Sequence, residues 1–280
     1  MSLSFAKSPS PILVSVITEE TKKAAMAAIT NSIYNGATGI DLHLSCMKEE
    51  ERTVDAIKQI VNMCKVPILA LNYDVDMNRE VYQSEEEERI DILLKAAEAG
   101  VACIDFQGYT LDRESKYGFR QEFSHMDYSF VKVNPREVVM DDKVIEKQME
   151  LFEKVRHIGS EVLLSCHPGV VMSAEQVVDL ALFLEKRSPD VIKIVTLTRN
   201  EDDLIEGIKA MSMLKKEVET PVSYHMSGQW GKLSRVINPV LGGHIAFCND
   251  RFNTGSDLNQ VDLRTAKMAI DAMNLMKGKC

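Results

Sequence analysis

Pro189-Asp190-Val191-Ile192-Lys193-Ile194-Val195-Thr196-Leu197-Thr198 is an apolar run with one lysine at its centre. Val, Ile and Leu crowd Lys193 too densely for a strand with one wet face, so the run reads as a parallel strand covered on both sides. A lysine there is out of place. Burying an ammonium without a partner is costly, and the usual escape is a depressed pKa that leaves the amine neutral and nucleophilic. Such an amine can condense with a carbonyl to form a Schiff base. The plainer reading is a strand-end lysine whose stem packs while its head reaches water. The choice between them depends on what surrounds the run.

Seven similar runs lie on either side of it, at residues 11–18, 39–45, 67–73, 102–107, 161–167, 221–227 and 243–247. Between them the spacing predicts helices. Residues 19–34 carry the 3.6 period and end near Gly36, and a charged helix over 48–65 is stopped before Pro67. Ser84 stands as a capping residue before the first-turn acids Glu85 to Glu88, with Gly100 closing that helix. A helix over 142–157 precedes Gly159, and a last one spans 258–276. Eight strands alternating with helices imply an α/β fold with a parallel sheet, and eight is the number that closes into a single (β/α)8 TIM barrel. The exception is residues 111–140, too long for a βα connection and carrying five aromatic residues among charges. It reads as an insertion after strand 4, a subdomain, a lid or a contact surface.

Composition agrees with one domain over residues 1–280. Apolar residues make up 45% and charged ones 27%, the ordinary globular mix, with no low-complexity tract or Pro/Gly/Ser-rich linker. The 33 basic and 42 acidic residues leave a net charge of −9 without a basic cluster, so neither nucleic acid nor an anionic membrane is an expected partner. No signal-peptide core opens the chain and no apolar run has the length of a membrane span, so a cytoplasmic protein acting on a small molecule is expected. The six cysteines show no CxxC spacing and read as reduced core residues.

In barrels of this kind chemistry sits at the C-terminal strand ends. The polar residues interrupting the runs converge there: Asp41 and His43, Asn72, Asp105, His167, Lys193, Ser227 and Arg235. His167 ends strand five, one strand from Lys193, where a histidine titrating near neutrality can take the proton a Schiff base makes acidic and hand it to a leaving hydroxyl. Asp105 could fix that ring from behind, or be a helix cap or an ion-pair partner. Arg235, in Gly231-Lys-Leu-Ser-Arg235, could clamp a substrate carboxylate with its planar fork, or make a surface ion pair. Asp41, His43 and His225 could in principle ligate a divalent ion, but no recognisable spacing supports a metal.

These residues resemble a known family. Ser165-Cys-His167, Val191-Ile-Lys-Ile194 with Lys193 twenty-six residues after the histidine, Gly231-x-x-Ser-Arg235 and Asp262-Leu-Arg264 are similar to type I 3-dehydroquinate dehydratase. The resemblance runs from strand one to the last helix. It implies that Lys193 forms the Schiff base with the substrate ketone, that His167 moves the proton and helps expel water, that Asp105 supports His167, and that Arg235 binds the substrate carboxylate. It also implies no metal or other cofactor, a shikimate-pathway lyase, and members that are often homodimers.

The departures lie in the shell that holds the substrate. Asp41-Leu-His43 stands where the family shows Glu-x-Arg, Tyr73 replaces the strand-three arginine, and Met77 replaces the glutamate after it. After strand eight the family's Ala-Pro-Gly-Gln becomes Thr254-Gly-Ser-Asp257, so an acid takes the glutamine position. Together with Ser227 and Phe247, these are the expected substrate-binding positions. A site built to bond particular hydroxyls discriminates by orders of magnitude, so the reaction type is expected to persist while the substrate differs. Three readings follow: dehydration of 3-dehydroquinate or a related β-hydroxy ketone, a Schiff-base aldolase on another small carbonyl compound, and a barrel that binds a ligand without turnover.

Overall fold

Strand residues alternate between two environments, and in this chain both are dry. Along β6 (Val191–Thr198), Ile192 and Ile194 face the helices, while Val191 packs with Ile12, Val14, Leu69, Cys103 and Leu163 in a separate cluster inside the sheet. That is why the run shows no wet face. The computed structural model describes residues 3–73, 75–76, 81–113, 137–252 and 258–277.

The other barrel strands are β1 (Ile12–Ile17), β2 (Gly39–His43), β3 (Ile68–Leu71), β4 (Cys103–Gln107), β5 (Glu161–Cys166), β7 (Val222–Gly228) and β8 (Ile245–Asn249). All pair in parallel in the order β8-β1-β2-β3-β4-β5-β6-β7. The last seam closes where the His244 N–H donates to the Val222 carbonyl at 2.8 Å and the Ser223 hydroxyl to the Ile245 carbonyl at 3.3 Å. The fold is a TIM barrel. Two short additions flank the ladder: an antiparallel pair, Val75–Asp76 with Val81–Tyr82, and the two-residue strand Val261–Asp262, which extends the sheet beside β8.

Helices α1 (Lys22–Tyr34), α2 (Val54–Met63), α3 (Glu86–Glu98), α4 (Asp142–Ile158), α5 (Ala174–Glu185), α6 (Glu201–Glu217), α7 (Gly231–Leu241) and α8 (Leu263–Met276) alternate with the strands. Six of these eight start on short polar side chains that accept first-turn N–H groups: Thr21, Thr53, Asp141, Ser173, Asn200 and Asp262. Ser173 adds a capping box with Gln176. Two expected starts are corrected. Glu85, not Ser84, occupies the cap position of α3, without a side-chain bond. The last helix begins at Leu263 and not 258, because Val261 and Asp262 first pair with Cys248 and Asn249 in extended form. Residues 114–136, the body of the expected insertion, lie outside the described residues, as do Met77 and Asp257. Among the described residues no helix is long and apolar enough to cross a membrane.

Candidate active site

The period of two that fills the barrel interior also selects which polar groups meet there. Inside positions on β4 are Cys103, Asp105 and Gln107, on β5 Leu163 and Ser165, on β6 Val191, Lys193 and Val195, and the register aligns Asp105 with Leu163, Ser165 with Lys193, and Val195 with His225. Below, the interior is an apolar plug that includes Phe5, Ile12, Leu163 and Val191. Above it a cavity of about 390 Å³ opens at the C-terminal strand ends. Lys193, His167, Arg235, Asp41, His43 and Tyr73 line it, joined by Ser227 and Phe247, so eight of the expected site residues share one hollow.

Lys193 is 7% exposed, and its amine is not alone. It lies 3.5 Å from Asp105 Oδ2 and 4.6 Å from the centre of the Phe247 ring. The ammonium therefore has a carboxylate and an aromatic face as partners, which corrects the expectation of an unpartnered amine. Asp105 is fully buried, and burial pushes its carboxyl above the ordinary range while the Lys193 charge opposes the shift.

The residue behind His167 is a second correction. Its Nδ1 stands 3.2 Å from Oε1 of Glu137, a fully buried side chain arriving from outside the barrel strands, whereas Asp105 pairs with Lys193. As a carboxylate, Glu137 can only accept, so Nδ1 carries the hydrogen and Nε2 is the basic nitrogen. The ring is held neutral: burial, then the charges of Lys193 and Arg235, depress its pKa well below the usual imidazole value. The Tyr73 ring stands beside it, 6.0 Å between centroids.

Opposite charges meet on the β2 wall. His43 Nε2 contacts Asp41 Oδ2 at 3.2 Å. Burial works against the imidazolium, but the field and hydrogen bond of Asp41 outweigh it and lift His43 to about 10. This wall therefore holds a charge pair that is neutral in sum. Arg235, 5% exposed, is set by the first turn of α7. Gly231 opens that turn because a β-carbon there would lie 2.4 Å from the Met226 carbonyl oxygen. Ser234 then accepts from the Met226 N–H at 2.9 Å and donates to the Gly231 carbonyl at 2.6 Å, fastening α7 to β7 beside the arginine.

Not every expected residue reaches the cavity. Asn72 is fully buried and donates to the Arg89 carbonyl instead. Asp257 lies outside the described residues. Conversely, His225, Asn259 and Gln260 line the cavity without having been assigned a substrate role. His225 had a visible signal, since it alternates with Ser223 and Ser227 on the inward side of β7. Glu137 had none beyond its place at the end of an unusually long connection. Among the described residues no group of three or more His, Cys, Asp or Glu is arranged to hold a metal ion.

Fold and site together define a (β/α)8 barrel with a lysine and a histidine from neighbouring strands in one cavity at its C-terminal rim. The family is more specific: the sequence profile described as Type I 3-dehydroquinase matches residues 13–277, and the chain belongs to that family. A 3-dehydroquinate dehydratase of Staphylococcus epidermidis is 26% identical over 104 residues, which are 37% of this chain and 44% of that protein. The chain thus matches less than half the length of this curated relative. Two solved structures share the fold. The 3-dehydroquinate dehydratase of Geobacillus kaustophilus has a TM-score of 0.74 at 11% identity, covering 99% of this chain and 98% of its own. The type I enzyme of Clostridium difficile, solved with covalently modified comenic acid, has 0.70 at 13%, covering 96% and 94%.

Proposed function

We propose that this chain is a Schiff-base hydro-lyase that removes water from a carboxylate-bearing cyclic β-hydroxy ketone, 3-dehydroquinate or a close relative. The observation that carries the reading is the shared cavity: an amine on β6 and a neutral imidazole just past β5, whose Nδ1 is turned to Glu137. Asp105, its carboxyl raised by burial and 3.5 Å from the amine, is the nearest group to take the proton Lys193 must lose before it attacks. Nζ adds to the ketone carbon, water leaves, and the iminium acidifies the neighbouring C–H. His167 takes that proton, giving an enamine. The enamine pushes out the β-hydroxyl, which leaves as water with the proton returned from His167. Hydrolysis of the conjugated iminium then releases the enone and restores the amine. Arg235 holds the carboxylate.

Family membership and the covalently modified compound in the Clostridium difficile enzyme support the covalent route. The His43–Asp41 pair and Tyr73 in place of family arginines favour a substrate whose far side carries less negative charge. The test is borohydride reduction in the presence of 3-dehydroquinate, followed by peptide mass analysis. An adduct on Lys193, lost in Lys193→Ala together with the rise of enone absorbance, is expected. Turnover that survives Lys193→Ala would overturn the proposal. A trapped adduct without enone, but with carbon–carbon cleavage of another carbonyl compound, would point to the aldolase reading. The cytoplasmic location expected from the sequence and the homodimeric state expected from the family belong to the same proposal.

A further inference from the structure

His225 lines the cavity, and neither the dehydration scheme nor the reading of the β2 wall gives its imidazole anything to do. It occupies an inward position on β7, level with Val195 of β6 and so one step above Lys193. It is 5% exposed and lines the same hollow as Lys193, His167 and Arg235. Its ring leans on Phe247 at 5.8 Å between centroids, tilted by 53°, and Phe247 in turn lies under the Lys193 amine. Neither ring nitrogen has a hydrogen-bond partner among the described residues. A polar ring that leans on an aromatic face and lines the cavity, with no protein partner for its nitrogens among the described residues, is placed to bond a molecule that enters the hollow.

We propose that His225 is a specificity-determining residue that bonds a hydroxyl group on the substrate ring, so that the site selects a hydroxylated keto acid over its deoxy counterpart. The charge state supports a hydroxyl and not a carboxylate as its partner. Burial, followed by the charges of Arg235, Lys193 and His167, depresses the imidazole pKa well below its usual value, so the ring is neutral. A neutral imidazole has one N–H and one bare nitrogen, and a hydroxyl both donates and accepts. A carboxylate in this cavity is drawn to the guanidinium of Arg235 instead. The His225 ring and the His43–Asp41 pair would thereby recognise hydroxyls from two walls, with hydrogen-bond directions the family's arginines could not supply. The inference rests on the keto-acid substrate proposed above, but its test is arranged to separate the two.

Binding is measured by calorimetry in the Lys193→Ala background, where no imine forms, with two ligands: 3-dehydroquinate and 3-oxocyclohexane-1-carboxylate, the same ring without hydroxyls. His225→Phe keeps a flat ring against Phe247 and removes both nitrogens. It is expected to weaken 3-dehydroquinate by roughly threefold to tenfold, the range of one neutral hydrogen bond, and to leave the deoxy ketone unchanged. His225→Gln, which restores a donor and an acceptor, is expected to recover part of the loss, and thermal unfolding checks that both variants fold. A purely packing role would weaken both ligands alike, and that result, or no change with either, overturns the inference. Hydroxyl-selective loss without borohydride trapping on wild-type Lys193 would sustain His225 while removing the imine. Trapping with no ligand discrimination would do the reverse. Absence of 3-dehydroquinate binding altogether would overturn both.

Discussion

Glu137 is a buried acid that reaches His167 from thirty residues away in sequence, and its backbone adopts a φ of 55°, an uncommon conformation for a side chain of that size. Strain of this kind persists where surroundings over-determine it, often at functional sites. Its contact fixes which nitrogen of His167 is basic, and a carboxylate beside an imidazole favours the protonated ring. Glu137→Gln keeps the shape and removes the charge. The imidazole should then hold its proton less tightly, moving the acid limb of the kcat/KM profile to lower pH and cutting kcat by about tenfold to a hundredfold. Borohydride trapping on Lys193 should persist, since the amine has its own partner in Asp105. A pH profile that keeps its acid limb while kcat falls would mean that Glu137 only packs.

At the level of elements, the Ser234 hydroxyl ties the first turn of α7 to the middle of β7, between His225 and Ser227, and thereby sets where Arg235 stands. Ser234→Ala strands the buried Met226 N–H, an omission that costs about 1–3 kcal/mol. Urea midpoints should show that loss, and the half-saturating concentration for a carboxylate-bearing ketone should rise with it. Unchanged midpoints would mean that the joint is redundant. This joint is also where the sequence was readable: glycine, serine and arginine at fixed spacing follow a strand, and each has a local reason to be there. The eight strands were readable for a similar reason, since inner and outer faces are both dry and produce dense apolar runs. The pairings inside the cavity were not. Lys193 with Asp105 spans 88 residues and His167 with Glu137 spans 30, so both depend on barrel register and on a connection with no periodic pattern. The misplaced start of α8 has the same origin, because Val261 and Asp262 obey the neighbouring strand before any helix can begin.

For the molecule as a whole, the site places several shifted groups in a single folding equilibrium, and their signs differ. His167, His225 and the buried His244 are all depressed in the folded state, so the unfolded chain binds more protons and stability climbs as pH rises toward the unfolded imidazole value near 6.5. Asp105, raised by burial, works against that climb over its own range. His43 acts on the other side. Its folded value of about 10 exceeds the unfolded one, so its contribution is complete below about pH 6.5 and is lost as pH rises through 10. Stability should therefore crest near neutrality and decline toward alkali, with His43 supplying one proton to the slope, at most about 1.4 kcal/mol per pH unit. Chemical denaturation from pH 5 to 10 measures the whole curve, and His43→Gln isolates this part, because the amide still donates to Asp41 but does not titrate in that range. The variant's alkaline limb should be shallower than the wild type's by that one proton. If the two limbs run parallel, the Asp41–His43 pair does not hold its proton in the folded protein, and the charge-neutral wall assigned to the substrate's far side loses its basis.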